Sequence, residues 1–429
     1  MLNNPKNNEK ILLLLLKNGS SDPNPIYDYS SSPTIAIKGH IEESTYVIRT
    51  KNDLFKNIEQ HADIKDKEGD VLIFYVNNTR KNTFFLMNPI PKKLKLNEKN
   101  LDYLNNKMWY VLRSVDLENY KQDNSNNNED YHLNENDIIR IGKIKYVVQK
   151  IYLIQKENNL NSSEPPTPIS ENSYKISDLN KGLGPVFDIY EVTNYSGYVD
   201  IDDKEKKQDK IKMICKFCPK DNINEDTDDG EDFLISVCKC KELVHYKCLK
   251  NYFKSLLEKK KNNENEIYDD VMTFINFQCD DCKEQYPTKF KLTKVDKIFD
   301  LIEIETPIDC NYMILESLDY KQNESYIKSI HIIKFIKKNG EPFKIGRDND
   351  NDIQDTDISI SRHHAIIRFN DIDGKIIIQN WNSKYGTLIL VRKPINILDK
   401  KIYLQVGKTY IEGSLMNYEE YEKIKNEKK

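Results

Sequence analysis

The chain has 429 residues, room for about two to three domains. Its 65 Lys and Arg against 69 Asp and Glu leave a formal charge of −4, so no global basic field points to nucleic acid. Charged residues reach 31% and hydrophobic ones only 38%, which suits small β-rich domains on solvated linkers better than one large globule.

The first apolar run, Ile11–Leu16, is six residues long, whereas a bilayer span takes about 20. It is expected to be a buried strand or a short helix. No other stretch is long enough to cross a membrane, so the expectation is a soluble, cytoplasmic or nuclear protein with no membrane and no nucleic-acid partner. Short apolar runs then recur between polar turns at Thr34–Ile37, Tyr46–Ile48, Val71–Val76, Thr83–Met87 and Trp109–Leu112. That rhythm predicts an antiparallel β-rich domain over 1–155. Gln122–Asp130 is a polar loop, and His132–Val148 has a strand-turn-strand pattern.

Residues 156–210 form a linker, with the Pro/Ser/Asn stretch Asn158–Asn172 and the charge run Asp202–Lys212. A cysteine-rich module follows over 211–290, then a connector over 291–307. Strand-like runs return within a 308–417 domain at Ile330–Ile336, Phe343–Ile345, Ala365–Phe369, Lys375–Gln379 and Thr387–Val391. A charged, helix-prone tail occupies 418–429. The expected fold class is therefore mostly β and multidomain, with a small metal module in the middle.

Seven of the eight cysteines lie between Cys215 and Cys282, and with His245 they make an ordered series. It reads Cys215-x2-Cys218, Cys238-x-Cys240, His245-x2-Cys248, Cys279-x2-Cys282. Paired soft thiolates with one imidazole suit tetrahedral Zn²⁺, and eight ligands fill two closed structural sites. Two Zn²⁺ are thus the expected cofactors. The leftover Cys310 is expected to be a buried small residue rather than a reactive thiol.

The segment Phe233–Phe253 (FLISVCKCKELVHYKCLKNYF) resembles the RING-CH, or RING-variant, family of ubiquitin ligases. The match lies in Cys-x-Cys, the Val before His245, and Cys248-Leu249 opening a helix, and Cys279–Tyr286 follows the family's end pattern. The resemblance implies a cross-brace, with Cys215, Cys218, His245 and Cys248 on one ion and Cys238, Cys240, Cys279 and Cys282 on the other. It also implies a groove for a ubiquitin-conjugating enzyme at Phe217 and Tyr252, with Lys283 beside the ubiquitin thioester. Phe217 and Tyr252 as caps of the small core, and Lys283 as a solvated charge, are the alternatives. Only four residues separate Cys240 from His245, a spacing nearer to PHD fingers than to RING-CH, and Phe277 stands where PHD fingers carry an aromatic residue.

Residues 343–391 contain Gly346-Arg347, then Ser361-Arg362-His363-His364-Ala365, then Asn382-Ser383-Lys384-Tyr385-Gly386-Thr387. This resembles the forkhead-associated (FHA) domain, which implies a β-sandwich binding phosphothreonine at one end. By that resemblance Arg347 and Ser361 contact the phosphate, Arg362 and Lys384 add donors, His364 braces the Ser361 loop, and Gly386 permits a turn. A guanidinium with hydroxyl and amide donors is also what a phosphate dianion requires chemically. Tyr385 stands where many FHA domains have an Asn that grips the peptide backbone. The N-terminal region has no Gly-Arg strand end and no Ser-x-x-His; both a degenerate FHA-like domain and an unrelated β domain stay open for it.

Together these modules point to a phosphothreonine-directed ubiquitin ligase of the RING type, acting as a scaffold with no catalytic nucleophile. Its expected partners are a phosphothreonine-containing protein and a ubiquitin-conjugating enzyme. The alternatives are a non-catalytic phosphopeptide-binding adaptor and a PHD-like chromatin reader.

Overall fold

The computed structural model describes residues 10–18, 27–29, 35–49, 55–59, 71–80, 83–88, 107–112, 131–154, 173–174, 190–192, 194–195, 215–218, 233–238, 240, 242–261, 270–275, 278–283, 286, 289–292, 298–301, 304–318, 329–337, 341–397 and 401–427. Among them the chain is mostly strand, with two helices, α1 (Tyr246–Lys261) and α2 (Tyr418–Glu427). It divides into two compact units, one of residues 1–146 with 340–429, the other of 147–339. The sequence boundaries set 1–155 apart from 308–417, whereas this grouping joins the two chain ends and moves 308–339 to the second unit.

The first unit is built from strands far apart in sequence. One five-stranded sheet runs Ile353–Gln354, Phe343–Gly346, Ala365–Asn370, Lys375–Asn380 and Tyr131–His132. Its last pairing, Ile377 with His132, ties the N-terminal half of the chain to the C-terminal half. A second sheet runs through Ile138–Ile141, Thr387–Leu390, Met108–Val111, Ile402–Val406, Thr409–Asn417, Lys10–Asn18 and Ile35–Ile41. Thr387–Leu390 is flanked on both sides by strands from the first 146 residues.

The apolar run Ile11–Leu16 is a strand, not a helix, and it lies between two antiparallel neighbours. Leu12, Leu14 and Leu16 alternate into one core, as a period of two requires. That core also holds Phe74, Val76, Phe84 and Leu86, from a further sheet of Ile395–Ile397, Thr83–Met87, Val71–Arg80, Thr45–Arg49 and Phe55–Glu59. These strands agree with the sequence-predicted runs to within a few residues.

The second unit centres on the cysteine module. Three short strands, Asn194–Tyr195, Leu234–Ile235 and Val244–His245, lead into α1. A second small sheet pairs Tyr190–Val192, Lys289–Leu292 and Ile298–Asp300, so part of the expected connector 291–307 is structured. Strands Val271–Ile275, Ser329–Lys334 and Tyr312–Ser317 are antiparallel. The core includes Leu234, Ile235, Leu249, Phe253 and Phe290, together with Tyr312, Ile314, Ile330 and Ile332 from those strands. The linker stretch 158–172, the charge run 202–212 and the polar loop 122–130 lie outside the described residues.

Candidate functional sites

The phosphate-binding loops expected from the sequence converge in the first unit. Phe343–Gly346 ends where its backbone touches the Ser361–Arg362 loop. A methyl group at Gly346 would sit 2.1 Å from the Arg362 carbonyl oxygen, so only glycine fits. The Arg347 amide donates to the Ser361 carbonyl at 3.0 Å, and the Asp348 amide to the Arg362 carbonyl at 3.2 Å. Asn351, buried, donates its side-chain amide to the carbonyls of Asp348 and Arg362. Arg347 and Arg362 are themselves solvent-exposed. In the Asp-rich loop, Asp352 accepts from the Lys344 amide and Asp350 lies 3.8 Å from His363.

His364 is fully buried and joins the two loops. Its Nδ1 accepts the Ser361 amide at 3.0 Å, and its Nε2 reaches the Gly386 carbonyl at 3.0 Å. Only one neutral tautomer does both, with the proton on Nε2. Burial holds the imidazole well below its usual range, at about 4, so it stays neutral near pH 7. The Ser361 hydroxyl accepts the Lys384 amide at 3.0 Å, which leaves its own hydrogen available to an anion. Gly386 has φ +70° and Asn382 φ +47°, the left-handed turn that the sequence expected at Gly386. Beneath the turn, buried Asn380 accepts from both Ser383 and Thr387.

Ser361, Lys384 and Gly386 open onto a cavity of about 770 Å³ that is also lined by Tyr29, Tyr403 and Tyr410. The sequence reading missed Tyr29 and Asn351. A lone tyrosine beside Asp28 carries no local signal, because its relevance comes from a contact with Lys384, more than 350 positions away.

In the second unit, the donor atoms of Cys215, Cys218, His245 and Cys248 lie within 4.8 Å of one another, as do those of Cys238, Cys240, Cys279 and Cys282. These are the two interleaved sets the sequence expected, and either group can hold a metal ion. His245 presents Nδ1, 3.2 Å from Cys218 Sγ and 3.9 Å from Cys248 Sγ. Burial alone raises the Cys279 thiol, yet the amides of Cys282 and Asp281 draw it down to about 6. Cys215 is lowered against burial in the same way, its sulfur taking the His245 amide at 3.3 Å. Burial and the neighbouring thiols of Cys218 and Cys215 push Cys248 up to about 12, so the three sulfurs of this group require a cation to ionise together. The donor chemistry therefore fits a soft, tetrahedral metal. The Lys216 ammonium spans the loops, pairing with Glu242 at 2.7 Å and with Asp281.

The structure brings Phe217 and Tyr252 together as a stacked pair with centroids 5.1 Å apart, and Phe217 is 39% exposed. The Tyr252 hydroxyl donates to Asp280 at 2.8 Å. Lys283 is exposed in a left-handed turn at φ +58°, its amide donating to the Cys279 carbonyl. Cys310, expected to be buried, is half-buried, and burial raises its thiol above the usual range. No helix among the described residues is long and apolar enough to cross a membrane.

Residues 343–412 match the family model of the FHA domain. No RING-CH match accompanies it, and no curated protein or solved structure is significantly similar to the chain. FHA domains bind phosphothreonine-containing partners.

Proposed function

We propose that the protein is a phosphothreonine-directed ubiquitin ligase of the scaffold type. The observation that carries the phosphate half is the His364 bridge. It fixes the Ser361 and Lys384–Gly386 loops on one another, with Ser361 and Lys384 lining one cavity and the exposed Arg347 held by its backbone amide to the Ser361 carbonyl. A phosphothreonine dianion would take charge-assisted hydrogen bonds from those groups, and Arg362 is the further donor. Screening the full-length protein with a degenerate phosphothreonine library tests this. Binding is expected to vanish with Arg347→Ala or Ser361→Ala, and equal binding of the unphosphorylated peptides would overturn it.

Two Zn²⁺, each in one of the four-donor groups, would cross-link the small module as structural ions. The half-exposed Phe217–Tyr252 pair is the natural apolar contact for a conjugating enzyme, with Lys283 beside it in sequence order after the last ligand. The chain's own residues then act by position, holding a charged conjugating enzyme near a recruited substrate. An autoubiquitination assay across a panel of conjugating enzymes decides this half. Chains that disappear with Phe217→Ala are expected; no chains from zinc-replete protein with any enzyme would leave the second reading.

That second reading is a non-catalytic phosphopeptide adaptor. It is favoured by the short Cys240–His245 loop and by the Tyr252 hydroxyl being already engaged by Asp280. A histone-tail reader through a PHD-like finger is the third, and silence on a histone-peptide array would remove it.

A further inference from the structure

The segment Tyr27–Tyr29 lies against the phosphate-binding loop. Tyr27 is buried and stacks on Tyr410 with centroids 5.4 Å apart, while Tyr29 meets both rings edge-on. The Tyr29 hydroxyl donates to the Gln405 side chain at 2.7 Å, and its backbone amide donates to the Lys384 carbonyl at 3.1 Å. Its ring lies under Gly386, where an added methyl would come within 2.8 Å. Between these two anchors sits Asp28, whose carboxylate is 3.2 Å from the Lys384 ammonium. These contacts thus fix a carboxylate on one of the cations that the loop offers to an anion.

We propose that Asp28 is a charge-selecting residue of the phosphopeptide site: its carboxylate holds Lys384 until a phosphate dianion displaces it, and it repels acidic residues flanking the phosphothreonine. The inference rests on the phosphothreonine reading above. Ion pairing with Asp28 also holds Lys384 more basic than a free lysine, as an internal counter-ion should. A monoanionic carboxylate makes one contact there, whereas a dianion that also engages Ser361 and Arg347 makes several, so phosphate wins the exchange. An unphosphorylated acidic peptide carries no such advantage and is turned away.

The test uses full-length protein, wild type and Asp28→Asn, titrated with the phosphothreonine peptides selected from the degenerate library. Asn keeps the shape of the segment, and near-UV circular dichroism checks that the tyrosine cluster is intact. Asp28→Asn is expected to bind about two- to fivefold tighter, the range of a half-exposed ion pair, and to accept acidic flanking residues that wild type rejects. Binding by Asp28→Asn where wild type shows none would count the same way. Unchanged or weaker binding by Asp28→Asn, with Arg347→Ala still inactive, would overturn the role of Asp28 and leave the pocket standing. Binding that survives Arg347→Ala and Ser361→Ala would remove the pocket reading and this inference with it.

Discussion

His364 has no contact with solvent, yet two loops depend on its two ring nitrogens. Replacing it with Ala leaves the buried Gly386 carbonyl without its partner, at a cost of about 1–3 kcal/mol, and frees the part-buried Ser361 amide. His364→Ala should therefore lower the melting temperature of the first unit and weaken phosphopeptide binding by at least about tenfold. Calorimetry and peptide titration on the same sample check both effects. Gly346→Ala should be worse, because its methyl would meet backbone at 2.1 Å and cannot be accommodated by a side-chain shift; no folded first unit is the expected outcome. The pH dependence follows from burial. In the folded state burial holds His364 at about 4 and His331 at about 4, while an unfolded histidine titrates near 6.5. As pH falls from 6.5 the unfolded chain takes up these protons first, so the stability from neutral histidine is complete above 6.5 and is lost toward pH 4. Thermal melts of wild type and His364→Gln at pH 7 and pH 4.5 should show a smaller loss for the variant; equal losses would contradict it.

At the scale of elements, the cysteine module does not end with its last ligand. Its core continues into Tyr312–Ser317 and Ser329–Lys334 through Tyr312, Ile314, Ile330 and Ile332. A chelator should accordingly strip hydrogen-exchange protection from residues 215–301 and also from those two strands. The strands Ala365–Asn370 and Lys375–Asn380, in the other unit, should keep theirs. Loss of protection in all of them together would contradict the division into two units. The cysteine pairs were legible because metal ligands obey a spacing rule that needs no distant partner. The proposed docking residues are less legible: Phe217 and Tyr252 stack on each other, but the same contact serves a small core or a partner's surface.

For the whole molecule, the FHA sandwich is completed by strands from the other end of the chain. The match covers 343–412, but Thr387–Leu390 pairs with Met108–Val111 and Ile138–Ile141, and Lys375–Asn380 pairs with Tyr131–His132. A fragment of 340–429 alone should expose those unpaired edges and fail to fold cooperatively. Adding residues 1–146 in trans, or testing a permuted chain that joins the two segments, should restore a cooperative transition. A sharp melt from the isolated fragment would refute this.

What the sequence by itself determined is everything governed by local chemistry. The strands follow from alternation and the paired metal-ligand candidates from cysteine spacing, while the interleaving of those pairs into two sets and the expected loops at Gly346-Arg347, Ser361-x2-His364 and Gly386 come from family resemblance. Only the tertiary structure decided that Ile11–Leu16 is an interior strand and that the two ends of the chain form one unit. It alone set Asp28 on Lys384. Strand pairing and ion pairing between distant positions leave no periodic trace in a single sequence, because each depends on which partner the folded chain brings near.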